Sequence, residues 1–222
     1  MTDPIKDAPK VRPSDPFRDL WRPLLAGAFV AAMAFAFLEL GSEVVKGETQ
    51  GFDQKVLLLA QGLRSQYPLL ADVMRDLTSL GSVVVLTLIT AATVIYLALF
   101  GSRRMAALVL VSMVSVTALV SVAKGLFGRA RPDLAFADLP VSGLSFPSGH
   151  ASMSAIAFLT LGALIAGLLT LLVGLSRVAL GVHWATDVMG GWAFGSAWAV
   201  LWLQVARVLA RRGRQLASQS SG

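Results

Sequence analysis

Met105–Ala123, MAALVLVSMVSVTALVSVA, is a run of 19 residues without a charge, bounded by Arg104 on one side and Lys124 on the other. A helix that spans a bilayer needs about 20 predominantly apolar residues, so this stretch predicts a membrane span with a cation at each end. Four more uncharged runs repeat the pattern at 23–38, 82–101, 151–175 and 188–206. Of the 222 residues, 55% are hydrophobic and 14% charged, against about 25% charged in an ordinary soluble domain. The fold class is therefore all-α, a polytopic membrane helix bundle of about six transmembrane helices.

The cations flank the runs unevenly. Residues 1–22 hold Lys6, Lys10, Arg12, Arg18 and Arg22 among four prolines and several acids, which reads as a polar arm. It does not resemble a cleavable leader, because the first apolar run comes late and continues into Glu39 and Glu43. Arg103 and Arg104 lie between the second and third runs, and Arg207, Arg211, Arg212 and Arg214 follow the last, in the tail 207–222. Positive-inside bias puts all of these in the cytoplasm. A single membrane domain, 23–206, is then predicted in the cell (inner) membrane as a multi-pass protein with both termini cytoplasmic. Residues 41–81, 124–150 and 177–187 fall together on the outer face. These flanks account for the net charge of +6 and suit anionic headgroups, so no nucleic-acid partner is implied. Cysteine is absent, which excludes thiol chemistry.

Between the first two spans, Val56, Leu57, Leu59, Ala60 and Leu63, and then Leu69, Leu70, Val73 and Leu77, recur at helical spacing with Pro68 between them. This predicts one or two amphipathic helices at the outer interface, packed against the bundle.

Three polar clusters stand at the ends of apolar runs, where ionisable groups are costly without a function. The first is Lys124 with Arg131-Pro132. Its guanidinium fork matches phosphate oxygens and its ammonium adds a point charge. The second is Pro147-Ser148-Gly149-His150. Here Ser148 occupies a helix N-cap position, Gly149 allows close backbone approach, and a helix N-terminus favours a phosphate; His150 is placed to give a proton to a leaving oxygen. The third is Ser176-Arg177 with His183 and Asp187. Four residues apart, the carboxylate and imidazole share one face if the segment is helical, and an oriented imidazole is a competent nucleophile. His150 and His183 are the two histidines of the chain, and both lie in these clusters.

In order and spacing the three clusters resemble the type 2 phosphatidic acid phosphatase family: Lys, six residues and Arg-Pro; then Pro-Ser-Gly-His; then Ser-Arg, five residues, His, three residues and Asp. The resemblance implies a membrane phosphatase acting on a lipid phosphate or diphosphate through a phosphohistidine intermediate, at a site on the non-cytoplasmic face. It implies that Lys124, Arg131 and Arg177 bind the phosphate, with Ser148 and the Gly149 backbone completing the cradle. His183 would attack phosphorus, Asp187 would orient it, and His150 would protonate the leaving group. Fixed cations stabilise the charge in such a mechanism, so no metal or other cofactor is implied. The partners implied are the bilayer and a lipid substrate such as phosphatidylglycerophosphate, phosphatidate or an isoprenoid diphosphate. A vanadate-binding haloperoxidase would share the oxyanion site, but the membrane spans weigh against it.

One interval departs from the family pattern. Only 25 residues, Ala151–Leu175, separate His150 from Ser176, whereas two spans and a turn need about 40. A compressed hairpin turning near Ala166-Gly167, with a deletion at about 165–168, keeps all three clusters on one face. A single helix would place the imidazoles on opposite faces and break the site. The short interval is also the best support for the alternative, a non-catalytic lipid-binding or transport protein of the same ancestry.

Overall fold

The computed structural model describes residues 16–133, 135–159 and 163–219, and within these the regular structure is helical throughout. In chain order the helices are α1 (Pro16–Lys46), α2 (Gln50–Gln66), α3 (Pro68–Leu80), α4 (Val83–Phe100), α5 (Arg103–Phe127), α6 (Gly149–Leu159), α7 (Ala163–Ala179) and α8 (Ala185–Gln219). The outer helices reach beyond the apolar runs: α1 already begins at Pro16, inside the N-terminal arm, and α8 continues to Gln219 through the basic tail.

The helix boundaries follow local chemistry. Pro68 cannot donate a backbone hydrogen bond, so it ends the run of α2 and opens α3 at its first position. Ser82 caps α4 by accepting from the Val85 N–H at 3.3 Å. Gly128 closes α5 in the left-handed region at φ 60°, its N–H bonded to the Lys124 carbonyl. As predicted, α2 and α3 form a broken amphipathic segment; each buries a few residues, Asp53 and Leu57 in one, Ala71 and Thr78 in the other.

Four stretches are long and apolar enough to cross a membrane: Trp21–Lys46, Pro68–Phe100, Arg103–Phe127 and Ala185–Gly213. The remaining two bundle helices are shorter. With 11 residues α6 reaches about 16 Å, and with 17 residues α7 reaches about 25 Å, against a hydrocarbon core of about 30 Å. They pack side by side, joined by a hydrogen bond from the Thr170 hydroxyl to the Ser154 carbonyl at 3.5 Å, and α7 returns to the end at which α6 began. The compressed hairpin is therefore present. Ala166-Gly167, where the turn was expected, lie inside α7, and residues 160–162 between the two helices are outside the described residues. The glycine misled because an isolated glycine in an apolar helix is tolerated.

What holds α6 in the bundle is close approach to α8. A Cβ at Gly191 would stand 2.8 Å from the Ser148 carbonyl oxygen and 2.9 Å from the Ala151 Cβ, and one at Gly195 would stand 2.5 Å from the Ser152 carbonyl oxygen. Two glycines four apart on α8 thus admit the backbone of α6, the small-residue packing by which helices associate in lipid. Phe146, just before α6, is buried against Phe37 of α1 and Phe127 of α5 in stacked and edge-on contacts.

The basic clusters share one end of this bundle. Arg104 approaches Gly213 of α8, and Arg22, Arg207 and Arg211 line one cavity. Lys124 at the C-terminus of α5, His150 at the start of α6 and Asp187 at the start of α8 occupy the other. Asp187 and Arg207 are 20 residues apart on α8, about 30 Å at 1.5 Å per residue.

Candidate active site

Past α7 the chain turns at Gly181, in the left-handed region at φ 68°, where a Cβ would collide with the Phe136 carbonyl. It then enters α8 through one half of a capping box: the carboxylate of Asp187, in the first turn, accepts from the backbone N–H of Trp184 at 3.0 Å. The same Oδ2 meets the Nδ1 of His183 at 3.1 Å and accepts from the Ser145 hydroxyl. His183 and Asp187 are both fully buried. The sequence expectation of a shared helical face is corrected here: His183 precedes α8, and the pair meets across the helix entrance.

A carboxylate only accepts, so Nδ1 of His183 carries the proton and Nε2 carries the lone pair. That Nε2 faces Arg131, 3.0 Å from Nη1. Burial outweighs the pairing with Asp187 and lowers the His183 pKa to about 4, so the ring is neutral at physiological pH. Two histidines in the chain give two imidazole signals under selective 15N labelling. The His183 signal is expected to stay neutral from pH 8 down to about 4, whereas protonation near 6.5, the ordinary value, would contradict the buried geometry. Since the unfolded chain takes up this proton at the ordinary value, stability should fall as pH drops from there toward 4 and should not change on this account above it.

The predicted cations gather around this ring. The Lys124 ammonium donates to the carbonyls of Leu144 at 2.6 Å and Ser145 at 3.1 Å. Arg131 is braced by the carbonyls of Ser142 and Val182. Arg177 is buried; its Nη1 donates to Thr78 of α3 at 3.1 Å, and its Nε has no hydrogen-bond partner. His150, partly buried in the first turn of α6, lies within electrostatic reach of Arg177, His183, Arg131 and Lys124. The two imidazoles are thus at one end of the bundle. Ser148 is buried at the start of α6, where its hydroxyl faces the Ala151 N–H at 3.5 Å; its own N–H is bonded to the Asp187 carbonyl at 3.0 Å, which ties the entrances of α6 and α8 together. A Cβ on Gly149 would meet only Val120, at 3.9 Å.

Sequence reading missed the support beneath this constellation. Arg129 bridges two buried carboxylates, Nη1 to Asp187 Oδ1 at 2.9 Å and Nη2 to Asp53 Oδ2 at 2.6 Å. Thr186 donates to Asp53 twice, from its N–H at 3.0 Å and its hydroxyl at 2.6 Å, and Thr49 touches Arg129 at 3.3 Å. The Trp184 ring covers the guanidinium at 5.3 Å and donates to the Ala130 carbonyl. A signal did exist: Asp53 sits in register with Val56, Leu57 and Ala60 on the apolar stripe of α2, where an unpaired acid would be expensive.

The PAP2 superfamily profile matches residues 105–211, a span that holds every histidine and cation just described and Asp187. These residues carry the chain's resemblance to the PAP2 superfamily. It is 40% identical to phosphatidylglycerophosphatase B of Bacillus subtilis (strain 168) over an 85-residue alignment that covers 30% of this chain and 41% of that protein. The chain thus spans about two fifths of that relative's length in the alignment. The crystal structure of the first transmembrane PAP2 type phosphatidylglycerolphosphate phosphatase from Bacillus subtilis superposes with a TM-score of 0.69 at 28% identity, covering 80% of this chain and 96% of that one. LpxE from Aquifex aeolicus superposes with a TM-score of 0.57 at 26% identity, covering 69% and 95%. A multi-pass membrane protein of PAP2 type is the common ground. Asp53, Thr49 and Thr78 lie on the segment before the PAP2 match.

Proposed function

We propose that this PAP2 protein is a lipid phosphate phosphatase working by nucleophilic catalysis from His183. The observation that carries the reading is the orientation of that ring: Nδ1 on Asp187, Nε2 turned toward Arg131 and the other cations. Nε2 attacks phosphorus, the bond from phosphorus to the ester oxygen breaks, and His150 gives that oxygen its proton. Arg131 moves from the Nε2 lone pair onto a phosphate oxygen, joined by Lys124 and by the unpartnered Nε of Arg177. Space in front of Gly149, which no packing contact requires to be a glycine, lets the phosphate reach the start of α6. Water then attacks the phosphohistidine, His150 takes the proton from that water, and inorganic phosphate leaves with His183 restored. Asp187 compensates the positive charge on the ring in both steps.

The motif end of the bundle is assigned to the outer face, because the arginine clusters of the opposite end favour the cytoplasm. The substrate class is a lipid phosphomonoester or diphosphate. Phosphatidylglycerophosphate, phosphatidate and isoprenoid diphosphates all meet it, and the names of the relatives favour the first. The alternative, a non-catalytic lipid-binding or transport protein, draws on the shortness of the 151–175 interval, and α6 and α7 are short; the gathering of both imidazoles and the cations at one end supports catalysis instead.

The test is phosphate release from purified protein in detergent with each of these lipids. Activity should persist in excess chelator, since fixed cations supply the charge. Vanadate should inhibit well below the substrate KM, because a trigonal-bipyramidal oxyanion resembles the transition state. Loss of turnover in chelator with recovery in magnesium would overturn the metal-independent mechanism.

A further inference from the structure

At the end of the bundle opposite the PAP2 site, α1 and α8 diverge around a cavity of about 430 Å³. Arg22 from α1, Arg207 and Arg211 from α8, and Gln204 one turn deeper line it, with Leu25 and Val208 at the apolar edge. No acid lines it. Gln204 accepts from Arg207 through Oε1 at 3.4 Å, while its Nε2 is buried with no hydrogen-bond partner. A buried amide donor left unpaired is costly, and three guanidinium groups around one cavity repel one another, so the lining favours an anion that accepts hydrogen bonds.

We propose that this cavity binds the phosphate headgroup of an anionic phospholipid in the leaflet opposite the active site. The chemistry fits part by part. Guanidinium groups match phosphate oxygens in a bidentate way, and the free Gln204 N–H supplies a further donor. Leu25 and Val208, both well exposed, offer an apolar surface where acyl chains leave the headgroup. Basic pockets between transmembrane helices on the cytoplasmic side are suited to anionic lipid headgroups, and the arginine bias places this end there. Trp21, half-exposed beside Arg22, suits the headgroup level. About 30 Å along α8 separate Arg207 from Asp187, so the ligand cannot be a substrate in transit through the catalytic pocket. The proposal does not depend on the catalytic reading.

The experiment uses the full chain in detergent micelles, with native mass spectrometry and thermal unfolding as readouts. The added probes are phosphatidylglycerol, phosphatidylcholine and inorganic phosphate, with vanadate present throughout to occupy the PAP2 site. The wild-type protein should retain one phosphatidylglycerol and gain thermal stability from it, with no gain from phosphatidylcholine. The variant R207Q/R211Q removes two cations worth about fivefold each, so its affinity should fall about thirtyfold. R212Q alters an arginine that does not line the cavity and should bind like the wild type. Equal losses in R212Q and R207Q/R211Q would reduce the effect to bulk charge and overturn the site. Stabilisation by inorganic phosphate equal to that by phosphatidylglycerol would overturn the lipid as its ligand. Q204L provides a second line of evidence, because it removes the orphan donor without changing charge. Weaker phosphatidylglycerol binding together with unchanged or raised stability in the absence of lipid is expected, and unchanged binding would exclude Gln204 from the site.

Discussion

His183→Ala is expected to form no phosphoenzyme and to lower kcat by about 10⁵- to 10⁶-fold, the scale of losing a nucleophile in a covalent mechanism. The substituted side chain is fully buried and leaves a small polar hole, so the folded protein should still bind vanadate through Lys124, Arg131 and Arg177, though more weakly. His150→Ala should behave differently. Without a general acid the loss is about 10²- to 10⁴-fold for an alkyl phosphate, but an aryl phosphate, whose leaving group needs no proton, should recover much of it and should trap as phosphohistidine. Rapid quench with 32P-labelled substrate separates the two. Equal residual rates for both variants on the aryl phosphate would show that the assigned roles are wrong.

Arg129→Ala should be the most damaging change away from the reacting atoms. It leaves Asp53 and Asp187, both fully buried, without their shared cation, and breaking a buried ion pair costs about 3–5 kcal/mol, a large part of the roughly 5–15 kcal/mol that holds a domain together. A sharp fall in melting temperature is the expected result. Arg129→Lys should rescue little, because an ammonium cannot span two carboxylates as the guanidinium does. Asp53→Asn is the milder probe: shape is kept, but Thr186 and Arg129 lose a charged acceptor, and the entrance of α8 loosens. Asp53 acts through Asp187 as a positioning residue, so kcat should drop about 10²-fold, the cost of a misplacement of about 1 Å, with KM nearly unchanged. A rise in KM alone would place Asp53 in substrate binding instead.

The long uncharged runs and the arginine flanks made the membrane bundle legible, because a span is a property of composition that needs no knowledge of neighbours. Pro68 likewise marked the break between α2 and α3. The three clusters were legible because each combines residue types whose chemistry is narrow, and the structure brings Lys124, Arg131, His150, Arg177, His183 and Asp187 to one end of the bundle. The layer beneath them was not. Arg129 sits in the loop after α5 with no neighbouring residue that marks it, and nothing local tells Asp53 that its side-chain partners lie beyond position 128. Pairing across that distance is a tertiary fact. The turn between α6 and α7 was misplaced for a related reason: Gly167 offered a local signal, whereas the glycines that shape the hairpin, Gly191 and Gly195, lie on the helix packed against it.

The bond between Asp53 and Thr186 joins residues 133 apart, and this sets an order of events during synthesis. Asp53 and Arg129 are made and delivered to the membrane long before Thr186 and Asp187, so the full network cannot close until α8 has been inserted. Up to that moment Asp53 can pair only with Arg129, and α2 lacks the two bonds from Thr186 that tie it to α8. A chain truncated before α8 should therefore expose α2 to protease more than the chain that includes α8, so assembly of the site reports that α8 has arrived.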